Sequence, residues 1–410
     1  MSGRLLILTD APTAPLHSPR VRYLITNLAK RGWQCTVAYE QLPESRFTFA
    51  DTTNIPLPYY QSDKGLCHAI AWLADKLFDN KERRLYRLLT QEFKVNEFDA
   101  ILCSAFNTFP LMTAARLSRE WNVPLLADLR DIAEQWGESK FAQHLKYTGI
   151  ACFDEWLSKQ YNKRCIRHRD QALRQAAVIT TVSPWHQQFL SERFGKAELI
   201  YNGYDEQTYT PANEKSDAFI ISYTGRIYDF ALRDPELLFE ALGLMVQEGT
   251  LPKEVELHFY CEPSLHEALR AKAKEAGVLD ELHVHGYISN ANVLEVLHRS
   301  AISLLLTNKA GVNGAHGIMT TKFFEALGVE KPVLCVRSDE ECLAQVIRET
   351  NAGIAATDAE EVKAFILNKY KEWQQNGFTR QAVNAKQKQL FTRQYQAGQF
   401  ETLLATMIHD

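Results

Sequence analysis

The sequence predicts an α/β fold: two Rossmann-like, doubly wound domains facing a central cleft. Three observations carry that expectation. Short β-type runs alternate with longer helical stretches along the 410-residue chain, the pattern of a parallel sheet covered by helices on both faces. The rhythm breaks once, at the short polar stretch Ala212–Asp217 behind Pro211, and then restarts. At roughly 100–200 residues per domain, the length itself fits two domains.

Taken in order, Arg4–Thr9 reads as the first strand. Pro19–Arg31 follows with Val21, Leu24, Ile25 and Leu28 at helical spacing, and Gly32 ends it. Gln34–Tyr39, Asp99–Ser104, Val123–Asp128, Ala177–Val182 and Ala197–Ile200 read as further strands, with amphipathic helices such as Asn107–Glu120 and Trp185–Arg193 between them. Tyr204–Asp217 is the expected linker. Beyond it come strands Ala218–Tyr223, Val255–Tyr260, Glu281–His285, Ile302–Leu306 and Pro332–Val336. They alternate with helices Pro235–Gln247, Leu265–Ala276, Ala291–Arg299, Thr320–Leu327 and Glu340–Thr350, and the tail is helical. The domains are expected at 1–204 and 205–391. Sheets of this kind bind ligands beyond the carboxyl ends of their strands, which makes the cleft the expected site.

Composition narrows the classes. Apolar residues are 46% and charged residues 23% of the chain, as in ordinary globular proteins, and the net charge of −4 argues against nucleic acid as a partner. The apolar start Leu5–Leu8 is too short for a signal peptide, and no run reaches the ~18–20 apolar residues of a membrane span. Eight cysteines are scattered with no Cys-x-x-Cys pair, which reads as free thiols in a reducing cytoplasm.

The stretch 311–334 is the most informative. Gly311, Gly314 and Gly317 lie between an apolar strand and a helix that Thr320 or Thr321 would cap. Free amides at a helix N-terminus attract phosphate, and glycines let the backbone come close. Lys322 sits in the first turn, where a cation is unfavourable without an anion, and Glu325 lies one turn on. Two readings stand: a diphosphate-and-ribose site, or a loop followed by a Lys322–Glu325 surface pair.

The run Thr-Lys-Phe-Phe-Glu-Ala-Leu-Gly-Val-Glu-Lys-Pro-Val-Leu at 321–334 resembles the signature of GT-B glycosyltransferases, particularly the retaining family 4. Thr181-Val-Ser-Pro-Trp, Ile200-Tyr-Asn-Gly-Tyr-Asp, Tyr223-Thr-Gly-Arg, His285-Gly-Tyr and the early Ser18-Pro-Arg-Val-Arg-Tyr-Leu resemble other family segments in the same order, so the likeness spans residues 1 to about 355. The resemblance implies donor contacts from Gly225, Arg226, Tyr287, Thr320, Thr321, Lys322 and Glu325: Arg226 on the diphosphate, Glu325 on the ribose, Tyr287 at the base. A buried structural ion pair is the other reading of Arg226. It also implies that the last helix, about 392–410, packs back on the first domain. Two positions depart from the pattern: Gly317 stands where many members carry a glutamate, and Ala231 where they carry a lysine that Arg233 or Lys322 would replace.

No Asp-x-Asp occurs, so no metal and no cofactor is expected beyond the nucleotide-sugar co-substrate; positive side chains and helix amides would stabilise the leaving diphosphate. In the first domain Asp128, Arg130 and Asp131 follow an apolar strand. They read either as acceptor-orienting groups, with Asp131 as the proton acceptor, or as a helix cap with a surface ion pair. Arg20 is a further acceptor candidate, and His17 beside it a loop residue or a catalytic one. Tyr59–Leu89 and Lys140–Arg169 are rich in basic and aromatic residues such as Trp72, Arg84, Trp156 and Arg164. They read either as core-plus-solvent faces or as a peripheral contact with the inner face of a membrane carrying lipid-linked acceptors. The expectation is a cytoplasmic hexosyltransferase acting with retention on a saccharide or lipid-linked acceptor in surface polysaccharide biosynthesis. The alternatives are a non-hydrolysing nucleotide-sugar epimerase and a silent nucleotide-sugar-binding module.

Overall fold

The computed structural model describes residues 3–10, 19–41, 48–58, 77–106, 108–136, 151–308, 315–336 and 341–409. His17, Ser18, Trp72, Gly311 and Gly314 lie outside them, as do much of the stretches 59–89 and 140–169. The chain forms two compact units, Met1–Tyr201 with Arg393–Asp410, and Asn202–Thr392.

The first unit holds seven strands: β1 (Arg4–Thr9), β2 (Gln34–Gln41), β3 (Thr53–Pro58), β4 (Ala100–Ala105), β5 (Leu125–Leu129), β6 (Val178–Thr181) and β7 (Glu198–Leu199). They are all parallel and ordered 3-2-1-4-5-6-7. Helices α1 (Pro19–Lys30), α2 (Asn80–Glu92), α3 (Leu111–Trp121), α4 (Ala151–Leu173) and α5 (Pro184–Phe194) lie among them in the chain. Strand β3 was not expected, because Pro56 and Pro58 hide it; an edge strand tolerates proline where an inner one would lose ladder bonds. β4 and β5 are buried at every position, as a sheet covered on both faces requires.

The second unit repeats the plan. Its strands β8 (Phe219–Thr224), β9 (Val255–Tyr260), β10 (Leu282–His285), β11 (Ile302–Leu306), β12 (Val333–Val336) and β13 (Gly353–Ala355) run parallel in the order 10-9-8-11-12-13. Among them come α6 (Glu236–Gln247), α7 (His266–Glu275), α8 (Asn290–Arg299), α9 (Thr321–Gly328) and α10 (Glu341–Thr350), then α11 (Ala359–Asn376) and α12 (Ala385–Gln389). The expected linker is not a free tether: Tyr204 is buried and bridges to Thr392. Helix α9 packs against this stretch through Gly328, where an added Cβ would stand 2.7 Å from the Tyr204 ring.

The last helix, α13 (Arg393–His409), belongs to the first unit. Its Ala397, Phe400, Leu404 and Met407 join Val21, Leu24, Ile25 and Leu28 of α1 in one apolar cluster. Arg31 and Glu401 pair at 2.8 Å beside it. No described helix is long and apolar enough to cross a membrane.

Candidate functional site

In each sheet the strand order reverses direction between two neighbours, β1 and β4 in one and β8 and β11 in the other. Loops leaving neighbouring strands there diverge to opposite faces and open a crevice at the strand ends, where doubly wound sheets bind ligands. Gly225, Arg226 and Lys322 gather about the second of these points, while Asp128, Arg130 and Asp131 lie at or beyond the end of β5, one strand past the first.

In the second unit, Gly225 and Arg226 leave the end of β8, and the loop after β11 leads through Gly317 to α9. Gly225 has φ +118°, a region that side chains rarely adopt. Lys322, in the first turn of α9, lies across it. The ammonium of Lys322 stands 5.4 Å from the Tyr223 ring and makes no hydrogen bond or ion pair among the described residues. Burial, helped by the nearby Arg233, lowers its pKa to about 7 against the opposing pull of Glu325 and Glu262. A cation is thus held where it needs an anion. The other cation, Arg233, is anchored by the Tyr223 hydroxyl at 3.3 Å and by the Arg226 carbonyl.

Arg226 is exposed, between the rings of Tyr228 at 5.9 Å and Tyr287 at 5.8 Å. The alternative of a buried ion pair is therefore corrected: no carboxylate among the described residues holds its guanidinium. The loop that carries it is fixed from below. Glu262, just past β9, accepts the backbone N–H groups of Ile227 at 2.9 Å and Tyr228 at 2.6 Å, and Tyr228 is held at φ +67°. A non-glycine residue kept in that region marks strain that the surrounding structure imposes. Tyr287, 53% exposed, follows β10.

Thr320 occupies the N-cap position of α9 but its side chain makes no capping bond, and no acidic residue lies in the first turn. The helix therefore presents its N-terminal amides uncapped, with Thr321 exposed beside them. Glu325 accepts from the Tyr209 hydroxyl at 3.2 Å and does not pair with Lys322, so the surface-pair reading of these two residues is also corrected.

The first unit is different. Asp128, at the end of β5, is fully buried. It accepts from Arg20 Nε at 3.0 Å and Nη2 at 2.9 Å, from Ser104 at 2.8 Å and from Thr180 at 2.7 Å. Arg20 is 4% exposed, gives its remaining terminal nitrogen to the Tyr201 carbonyl at 2.9 Å, and stands over the Phe400 ring. Burial alone would raise the Asp128 pKa, but the charge and hydrogen bonds of Arg20 outweigh it and the net shift is downward. Both Asp128 oxygens accept two hydrogen bonds each, and every Arg20 nitrogen has a partner inside the protein. This corrects the expected acceptor role of Arg20 and Asp128: they are a pinned ion pair tying α1 to the middle of the sheet.

Arg130 and Asp131, one step further along, stay near the strand ends. Arg130 pairs with Asp10 at the end of β1, reaching across β4, rather than with its neighbour Asp131. Asp131 is partly buried and accepts from Gln135 at 2.8 Å. Desolvation raises its pKa to about 6 despite that bond and the nearby Arg130. A carboxyl poised there is suited to general-base work near neutrality.

Sequence reasoning misses three further groups. Asp10 and Glu262 organise the strand ends, and a histidine-rich face forms on β9 and β10. Asp10 directly follows β1 and Glu262 stands two residues past β9, placements the strand assignments could have flagged; the histidines needed the register.

Residues 19–208 match the family described as Glycosyltransferase Family 4. No curated protein matches the chain. Among solved structures, HepE from Anabaena in complex with UDP superposes with a TM-score of 0.65 at 14% identity, covering 98% of this chain and 99% of that one. Sucrose-phosphate synthase from Thermosynechococcus elongatus gives 0.66 at 14% identity, covering 99% of each chain. The lipopolysaccharide outer core galactosyltransferase WaaB gives 0.60 at 12% identity, covering 98% of this chain and 99% of that one. The chain has the GT-B fold, and the resemblance to family 4 that the motifs suggest extends through its first unit.

Proposed function

We propose, with the GT-B fold as premise, that the chain is a glycosyltransferase moving a hexose-type sugar from a nucleoside-diphosphate donor to a saccharide or lipid-linked acceptor with retention. The observation that carries it is the convergence of Arg226, Arg233 and Lys322 at the switch point of the second sheet, three cations with no carboxylate ion pair among the described residues. Such a cluster beside an uncapped helix N-terminus suits a diphosphate. HepE has been crystallised with UDP and with UDP-glucose, which supports this class of donor here.

On this reading Arg226 and Lys322 bind the diphosphate with the amides of Thr320 and Thr321, while Gly225 keeps the approach open. Glu325 accepts from the ribose hydroxyls, and Tyr287 covers the base. As the acceptor oxygen bonds to the anomeric carbon, the sugar–phosphate bond breaks and its electron pair leaves with the diphosphate. The cations and amides stabilise that charge without a metal or cofactor. Asp131 receives the acceptor proton, and Arg130 orients the acceptor. Acceptors in surface polysaccharide assembly suit the reading, since the exposed and stacked Phe153 and Trp156 on α4 offer an aromatic contact for a cytoplasmic membrane face.

Gly317, lacking the family's carboxylate, favours one competitor, a module that binds the donor without turnover. Incubation with a panel of nucleotide sugars, with and without EDTA, separates the outcomes. Sugar released or transferred with its anomeric configuration kept, in either buffer, supports the proposal. An epimerised donor, or tight binding with no turnover, overturns it.

A further inference from the structure

The polar face of β9 and of the edge strand β10 carries a cluster that the transferase chemistry does not use. Alternate burial along β9 puts Glu256, His258 and Tyr260 on one face. The parallel register sets His283 beside His258 and His285 beside Tyr260. Three imidazoles and a carboxylate are thereby gathered on two strands. Glu256 Oε2 and His258 Nε2 are 2.9 Å apart, the rings of His258 and His283 are 4.8 Å apart, and His285 Nε2 is 3.3 Å from His258 Nδ1. One ligand-capable atom from each of Glu256, His258 and His283 lies within 4.8 Å of the other two.

We propose that Glu256, His258 and His283 bind a divalent transition-metal ion of the zinc class. Two imidazoles and one carboxylate form a donor set that such ions prefer and that leaves coordination positions for water. Bond lengths of about 2.0–2.2 Å place neighbouring ligand atoms roughly 3–3.5 Å apart, so the three groups must close in slightly. The exposed His283 is free to turn inward. His285, against the far nitrogen of His258, fixes which nitrogen faces the ion, as outer partners of ligating histidines do. His285 is itself held by stacking on Tyr260 at 4.4 Å, and its carbonyl is engaged by His266 at 3.1 Å.

Burial acts on the same groups. Desolvation first, with His283 and Arg299 nearby, outweighs Glu256 and lowers the His258 pKa. Desolvation with His258, His283 and His266 around it lowers that of His285. Tyr260 faces Arg299 and Glu295 on the same side. An ion here clamps β10 to β9 just before the chain turns through Gly286 to Tyr287. None of its three ligands is assigned to the diphosphate, so it carries no step of the proposed transfer.

The test uses the full chain, stripped of metal and titrated calorimetrically with zinc, and with cobalt followed by its visible absorption. One saturable ion per chain is expected, with His283→Asn and Glu256→Gln each weakening binding tenfold or more, and His409→Asn, an exposed histidine elsewhere, leaving it unchanged. Thermal unfolding of each variant confirms that it is folded. No saturable binding, or binding as tight as the parent's in either ligand variant, overturns the site. Since the readout is metal binding, its failure leaves the transferase proposal standing, and the reverse.

Discussion

Lys322 lies across Gly225 so closely that a Cβ at position 225 would stand 2.6 Å from the lysine Cε and 2.8 Å from its Nζ. The contact joins the end of β8 to the first turn of α9 over the switch point, and only a glycine permits it. Gly225→Ala must therefore push the ammonium aside while also straining a backbone at φ +118°. It should weaken nucleoside-diphosphate binding about tenfold, the loss of roughly one charge-assisted hydrogen bond, and lower the melting temperature. Lys322→Met should also lose affinity, but with the melting temperature kept or raised, because a desolvated cation is removed. Titration beside thermal unfolding distinguishes the two signatures.

The same lysine makes donor binding pH-dependent. Its pKa is lowered to about 7 without ligand, and a bound diphosphate would raise it. Binding should then take up a proton above pH 7, with affinity greatest below pH 7 and falling as pH rises toward the bound-state pKa. The folding term runs oppositely: a lysine whose folded pKa is depressed costs stability below about 7, a cost that fades as pH rises toward its unfolded value. Calorimetry in buffers of different ionisation enthalpy measures the proton uptake; none at pH 8 would contradict a Lys322–phosphate contact.

Much of this arrangement is legible in the residues themselves. Gly225, Arg226 and Lys322 stand at strand and helix ends that hydrophobic periodicity alone locates, and β8 and α9 fall within one or two residues of their expected bounds. What one-dimensional reasoning misses is pairing at a distance. Arg20 and Asp128 are 108 positions apart, and nothing local shows that two other strands supply Ser104 and Thr180 to complete the same carboxylate. The histidines of β9 and β10 stand on two separate expected strands, and only the parallel register places them opposite each other. β3 escaped because its prolines contradict a central strand and only its edge position excuses them.

Arg226 and Glu325 are expected to matter for binding more than for folding. Arg226 is exposed and its partners are two aromatic rings, so Arg226→Ala leaves no buried charge behind. A charge-assisted hydrogen bond contributes about 1.5–3 kcal/mol, which corresponds to a ten- to hundredfold loss of nucleoside-diphosphate affinity. Glu325→Gln keeps the shape and the Tyr209 contact and should lose less. Unchanged affinity with a clearly lowered melting temperature would return both residues to structural roles.

Asp131 should set the acid limb of the transfer rate. With its pKa raised to about 6 by desolvation, the carboxylate that receives the acceptor proton is lost below that pH, and kcat/KM should fall tenfold per unit beneath it. Asp131→Asn should abolish the limb along with most of the rate. A raised carboxyl pKa also costs stability as pH climbs from the unfolded value through about 6. The asparagine variant should therefore gain stability relative to the parent at pH 8 and not at pH 4. A rate profile flat to pH 5 in the parent would remove Asp131 from the chemistry.

The pair Arg20–Asp128 should behave in the opposite way, as a matter of folding alone. Arg20→Met leaves a fully buried carboxylate with two hydroxyl donors and no counter-charge, a kind of loss that costs about 3–5 kcal/mol. Replacing both, with Asp128→Leu added, should recover a good part of that, since no charge is then stranded. The sign with pH follows from the depressed Asp128 pKa. Its contribution is present above the unfolded carboxylate value and lost as pH falls through the folded one, so the parent and Arg20→Met should converge in strong acid. Urea unfolding of the three proteins at pH 7 and at pH 3 measures this directly. A raised acceptor KM in Arg20→Met, with stability untouched, would instead put the arginine in contact with the acceptor.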